Sequence, residues 1–379
     1  MQFNSDRLTY YFTTLCEIDS PSKGESKLSS YLQDLFHDLG ADLVFEDNSS
    51  FVTGSDCGNF VARFAGSRSD VEPLFFNCHL DVIKPCLGVK VRKINDIFYS
   101  SGDTVLGADD KAGIAILIET LIAIILENIP FAPVEFVFTT CEEIGLLGAK
   151  AFDPSVLVAK YGYSLDSTSI DNVIIGAPAS YGISAEIHGL ASHAGLRPLY
   201  GINAIQLAAH AVSRLPLGQI DGETTANIGL ITGGTATNII PDYVRVDGEV
   251  RSHNLSKLFS TLDLFKNTFQ DSVANWHDPH NLITTRPSLA FASPEQYPLM
   301  KLASDSLPVL RAHQAGSFLS RPLQFIQAGG GSDANFFNAS GLPTAILGIG
   351  MENIHSVSEN IKLSDMLRTA ELIYSILTC

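Results

Sequence analysis

Two short apolar runs, Leu74 to Val82 and Val134 to Thr140, stand on either side of a long helical segment from about Asp110 to Leu126. The runs are rich in aromatic and β-branched residues, and with Phe60 to Phe64 they read as strands buried on both faces. Strands alternating with helices imply a mostly parallel sheet with helices on its faces. Ligands of such sheets gather beyond the C-terminal ends of the strands. Two amphipathic helices precede them, one marked by Leu8, Phe12 and Leu15 and the other by Leu28, Leu32, Leu35, Phe36 and Leu39 before Gly40.

From about Tyr181 the order changes. A strand (Gly182 to His188), a helix (Asn203 to Leu215), two strands (Ala226 to Thr232 and Tyr243 to Arg251), a second helix and a final strand (Leu282 to Ala290) make a βαββαβ pattern. The second helix carries one stripe of Leu258, Leu262, Phe265, Phe269, Val273 and Trp276. After Pro294 the alternation resumes, with a helix near Leu299 to Leu307, strands at Leu323 to Gln327 and Thr344 to Gly348, and a closing helix from about Ser364. The expected fold is therefore α/β, a mixed and mostly parallel sheet flanked by helices. It is built from residues 1–178 and 294–379 and interrupted by an inserted βαββαβ domain at 179–293.

The 379 residues carry 41 acidic and 24 basic side chains, a net charge of −17. This argues against nucleic acid or an anionic membrane as partner, since both need clustered Lys and Arg, and favours small molecules or peptides. The longest apolar stretch, Gly113 to Leu126, is interrupted by Glu119 and falls short of the ~20 residues that span a bilayer. No secretory signal opens the chain. Six cysteines, Cys16, Cys57, Cys78, Cys86, Cys141 and Cys379, show no CxxC pair and read as reduced thiols of a cytoplasmic protein.

Five clusters carry the candidate chemistry. His79-Leu80-Asp81 ends a strand, and residues two apart point the same way, so imidazole and carboxylate can meet; an ordinary hydrogen-bonded pair is the alternative. Asp109-Asp110, flanked by Gly107 and Gly113, opens a helix, where capping accounts for one Asp better than for two. Glu142-Glu143 follows an apolar strand, and adjacent carboxylates there call for a cation or a shared proton unless the strand end is solvated. Asp166 ends the strand Tyr161 to Leu165, and His355 precedes the last helix. Together they form an N/O donor list suited to two divalent ions such as Zn, Co or Mn. Gly329-Gly330-Gly331-Ser332-Asp333 is either a plain turn or a loop whose backbone N–H groups hold an anion; it lacks the Gly-Lys-Ser/Thr ending of a phosphate loop.

His-x-Asp, then Gly-Ala-Asp-Asp-Lys-Ala-Gly, then Glu-Glu, a lone Asp and a C-terminal His resembles, in that order, the dinuclear zinc peptidases and deacylases of the aminoacylase, glutamate carboxypeptidase and peptidase T family. The resemblance covers nearly the whole chain, and the inserted segment is similar to the family's lid or dimerisation domain. It implies that His79 and Asp166 hold one metal, Glu143 and His355 the other, and that Asp109, two residues before Lys111, bridges them. Asp81 then orients His79, Glu142 is the general base, and Asp110 is a helix-start residue. His193 matches the family's lid histidine, which serves the oxyanion of a neighbouring subunit's site and so implies a homodimer. Asn238 and Arg251 match substrate-binding positions, with Gly330 and Gly331 as further contacts.

Asp at the Asp166 position, and the texture around Asp109, look most like peptidase T. The resemblance thus implies hydrolysis of the N-terminal peptide bond of short peptides by a water shared between two metal ions, zinc by family habit. A carboxypeptidase or N-acyl amino acid deacylase of the same family is the alternative reading. A metal- or peptide-binding protein without catalysis is a remote third.

Overall fold

The apolar runs of the first half become the middle of one sheet. The computed structural model describes residues 3–68 and 70–378 and divides into two units, Met1–Ala177 with Met300–Cys379, and Pro178–Leu299. In the first unit the strands stand in the order Leu43–Glu46, Phe60–Phe64, Val134–Thr139, Leu74–His79, Tyr161–Ser164, Thr344–Leu347, Asn172–Ala177 and Met300–Lys301, with Gln324–Gln327 also along Asn172–Ala177. The middle four of these, from Val134–Thr139 to Thr344–Leu347, are mutually parallel, and antiparallel strands flank them. His79 lies opposite Thr139, and Asn77 opposite Ser164. The segments that follow these strands, 80–81, 140–143 and 165–166, therefore leave the sheet along one edge.

The helix Ala108–Leu126 crosses behind this sheet with every residue from Ala108 to Ile124 buried, which explains its near-continuous apolar sequence. Glu119 lies inside it at 0% exposure and is held from the first helix, Ser5–Glu17. Arg7 donates from Nε at 2.6 Å and from Nη2 at 2.8 Å, and the Asn4 amide adds a third bond at 2.8 Å. A buried carboxylate stripped of its guanidinium is left uncompensated. Arg7→Ala should therefore cost about 3–5 kcal/mol of folding free energy, read from denaturant unfolding, whereas a loss below ~1 kcal/mol would mean that the amide alone supports Glu119.

Two elements of the second half differ from expectation. The helix placed near Leu299 to Leu307 starts later, as Leu307–Phe318 with Pro308 in its first turn, because proline's fixed φ and missing N–H suit that position. Met300–Lys301 is instead a short strand on Asn172–Ala177. The strand expected from Leu282 begins only at Ser288, after Pro287. Before it, the Leu282 and Ile283 amides are taken by the Asp278 carboxylate rather than by a sheet. A four-stranded antiparallel sheet, Met351–Glu352, Asn360–Lys362, Ile97–Ser100 and Val91–Ile94, completes the first unit, and the chain closes with the helix Leu363–Thr378.

In the second unit the strand Ala179–His188 lies between Tyr243–Ser252 and Ser288–Ala292, and Thr224–Gly233 pairs the far side of Tyr243–Ser252. The helices Ala204–Val212 and Leu255–Ala274 supply the rest of its core. Leu258, Leu262, Phe265 and Phe269 are buried, and Val273 and Trp276 pack against them at the rim. No helix among the described residues is long and apolar enough to cross a membrane.

Candidate functional site

In the first unit each candidate side chain is set by the end of a parallel strand or by a loop braced against one. His79 is the last residue of its strand and 2% exposed; its Nδ1 lies 2.9 Å from the Asp81 carbonyl oxygen and 3.6 Å from the Asp81 carboxylate. Asp81 thus reaches the imidazole chiefly through its backbone. Its carboxylate instead accepts the Glu142 amide at 2.8 Å, the Glu143 amide at 3.2 Å and the Ser22 hydroxyl at 2.6 Å, fixing the paired glutamates.

The loop bearing Asp109 turns at Gly107, whose φ of 78° suits glycine. Asp109 and Asp110 depart from helical geometry, and the peptide bond between them is cis. Asp110 is no helix cap. It is fully buried and its Oδ2 accepts the His79 amide at 3.2 Å, so it braces the strand end rather than the helix start. A side chain at Gly113 would place its Cβ 2.4 Å from Asp110 Oδ1, so only glycine admits this carboxylate.

Asp109 presents one oxygen to each of two imidazoles: Oδ1 is 3.1 Å from His79 Nε2 and Oδ2 is 3.4 Å from His355 Nε2. His355 Nε2 is also 3.0 Å from Glu143 Oε2. His79, Asp109 and Asp166 bring ligand atoms within 4.8 Å of one another, and so do Asp109, Glu143 and His355. Two three-residue donor sets therefore share Asp109. Glu142 lies within the same distance of His79 and Glu143, yet its carboxylate makes no hydrogen bond or ion pair among the described residues.

Burial, then the neighbouring charges of Asp166, Asp333 and Glu143, push the Glu142 carboxyl well above its ordinary value; burial and Asp109 do the same to Asp166. Asp109 is buried too, but hydrogen bonds from His355 and His79 hold its carboxyl below the usual range. The same bonds, to Asp109 and Glu143, push His355 up to about 10. Glu143 Oε1 is buried with no hydrogen-bond partner among the described residues. Crowded carboxylates, an orphaned buried oxygen and two imidazoles are the donor set that divalent cations would neutralise, so the residues fit two such ions.

Asp109, Glu142, Glu143, Asp166 and His355 line a cavity of about 330 Å³ together with Gly330 and Gly331. The helix after these glycines, Asp333–Ala339, is already closed by a capping box of Ser332 and Asn335, which takes up amides that an anion would otherwise need. In the second unit His193 pairs with Ile239, and the Ala194 amide bonds the Asn238 carbonyl at 2.9 Å, which brings His193 and Asn238 together. His193 Nδ1 accepts from the Gly195 and Leu196 amides, both at 3.1 Å, so the neutral ring carries its proton on Nε2. Arg251 sits near the other end of the strand Tyr243–Ser252, opposite Ser180, and is paired with Glu249 at 3.0 Å.

Several supporting groups gave no sequence signal. Glu25, fully buried, accepts the Cys141 amide at 2.9 Å and the Ser55 hydroxyl at 2.6 Å, where Cys141 holds a φ of 55°. Asp333 bonds Thr139 beneath the site, and Glu359 accepts amides of the Asp109 loop. Cys78 and Cys141 are buried fillers; burial and Glu25 push the Cys141 thiol up to about 12. Cys16, Cys57 and Cys86 are also free, and Cys379 lies outside the described residues.

A model of the M20-type peptidase dimerisation domain matches residues 176–277, and one of peptidase family M28 matches 59–175. The chain is 38% identical to the uncharacterized protein YqjE of Bacillus subtilis over 375 residues, 99% of this chain and 98% of that one. Among solved structures, aminopeptidase PepT of Bacillus cereus superposes with a TM-score of 0.90 at 37% identity, covering 99% of this chain and 98% of its own. A tripeptidase of Staphylococcus aureus gives 0.93 at 34% identity, covering 100% and 99%.

Proposed function

Since the chain belongs to the M20 family of dinuclear peptidases, among the relatives of peptidase T, we propose that it removes the first residue of short peptides, tripeptides above all. The observation that carries this reading is the pair of donor sets sharing Asp109, with Glu142 unpaired beside them. His79 and Asp166 would hold one ion, Glu143 and His355 the other, and Asp109 would serve both; zinc is the first choice, with cobalt or manganese as alternatives. Bound there, two divalent ions supply Lewis acidity toward the scissile carbonyl and a water of lowered pKa.

Glu142 takes the proton of the attacking water and returns it to the departing amine, a task that needs a carboxylate beside the donor sets and free of partners. Asp81 holds the Glu142 amide, so the carboxylate leaves a fixed backbone. The oxyanion that forms as water adds to the carbonyl needs a donor, and His193 has its proton on the free Nε2. Arg251, once released from Glu249, grips a peptide carboxylate with two parallel hydrogen bonds, and Asn238, Gly330 and Gly331 complete the substrate contacts.

A homodimer through the inserted lid domain accompanies this reading. The strand Tyr243–Ser252 is ten residues long, roughly 30 Å at its usual rise. Asn238, beside His193, precedes its first residue Tyr243, and Arg251 is next to its last. This separation along one strand supports a reading in which the two contributions belong to different chains. Leu230 and Ile231, exposed by 65% and 57% on the strand Thr224–Gly233 beyond its short pairing with Gly218–Gln219, offer the apolar edge such a contact buries. The free, buried cysteines support a reducing, cytoplasmic setting.

The test is mass spectrometry of products after metal-loaded protein meets free tripeptides and the same tripeptides N-acetylated. Loss of the first residue from the free peptides alone is expected. Release of acetate, or of the C-terminal residue from the blocked peptides, would replace the aminopeptidase reading with that of a deacylase or carboxypeptidase.

A further inference from the structure

Glu359 is a buried carboxylate to which the chemistry above gives no task. It stands at the base of the hairpin between Met351–Glu352 and Asn360–Lys362, whose loop carries His355. At 2% exposure its Oε2 accepts the amides of Leu106 at 2.8 Å and Gly107 at 2.7 Å, and its Oε1 accepts the Asp109 amide at 3.0 Å. Amides at a helix start have no partner within the helix, and here no side chain of the local sequence caps them. A residue 250 positions away in the chain does so instead.

The same hairpin delivers His355 to the Asp109 carboxylate. The His355 ring is half-exposed at the loop tip, where the nearby bonds are short-range ones among Asn353, Ser356 and Ser358. Glu359 is the buried tie between this loop and the Asp109 segment. It grips the backbone of the residue whose side chain His355 meets, so one carboxylate sets both sides of that encounter.

We infer that Glu359 is a positioning residue that fixes the spacing between Asp109 and His355, and with it the spacing of the two cation positions. This rests on the dinuclear reading above. Glu359 touches neither substrate nor the reacting atoms and acts through the amides it holds.

The experiment compares wild type with Glu359→Gln, which puts an NH2 group where an amide N–H must be accepted, and with Glu359→Asp, which keeps the charge but shortens the reach. Co²⁺ is titrated calorimetrically into metal-free protein, the visible Co²⁺ absorption is recorded, and thermal unfolding of the metal-free forms is followed. Wild type should bind two ions. Glu359→Gln should bind the weaker ion about 10–100-fold less tightly with an altered Co²⁺ spectrum, while its metal-free unfolding temperature stays within ~4 °C of wild type. Glu359→Asp should fall between the two.

Wild-type affinities and spectrum in Glu359→Gln would overturn the inference. So would a collapse of metal-free stability in both variants with the remaining folded protein binding Co²⁺ normally, since that is a purely structural role. Failure of wild type itself to bind two ions would overturn the dinuclear reading and the inference together, a result distinct from the other two.

Discussion

Glu142→Ala is expected to retain two divalent ions per chain and to lower kcat by about 10²–10⁴-fold, the usual contribution of a positioned general base. The change removes a carboxylate that makes no hydrogen bond, while Asp81 goes on holding the residue's amide, so the loop has no reason to move. Metal content by elemental analysis and kcat at saturating tripeptide decide it together. Turnover near wild type would remove Glu142 from the chemistry. Loss of one ion would reassign it as a ligand, which its place within 4.8 Å of His79 and Glu143 makes a fair contest.

Subunit mixing gives the second large effect. His193→Ala alone should reduce kcat by about 10²–10³-fold, as expected for one lost oxyanion donor. Mixed with Glu142→Ala subunits and allowed to exchange, it should recover about a quarter of wild-type activity, because half the dimers are then hybrids and each hybrid has one intact site. The His193–Asn238 pair lies before the Tyr243 end of a ten-residue strand, and Arg251 lies at its far end. No recovery, or a protein that sediments only as a 40.8 kDa species, would confine His193 to its own chain or exclude it altogether.

Much of this architecture is legible in the chain because strong patterns carry it. The runs around Phe76 and Phe136 admit little besides buried strands, and the stripe from Leu258 to Phe269 fits only an amphipathic helix. Where proline decides an element's start, as at Pro287 and Pro308, the apolar pattern alone misplaces the boundary. The ligand candidates stand out because like charges seldom collect at buried strand ends. Their supports do not: Glu25, Asp110 and Glu359 work on backbone amides, and an amide has no side-chain identity for a sequence to display. Asp110 shows the limit most clearly. Its position beside a helix start suggests capping, yet a tertiary contact with the His79 amide claims it, and no local rule distinguishes the two uses.

The chain leaves the first unit at Ala177 and comes back at Met300, and these two residues are directly paired across antiparallel strands. Their Cα atoms are thus about 5 Å apart, the width of a single strand spacing. Whatever is spliced between them asks nothing of the sheet, since the gap it must close is already closed. That makes the position a natural socket, able to take a segment of another length or shape while the sheet edge that bears His79 and Asp166 keeps its form.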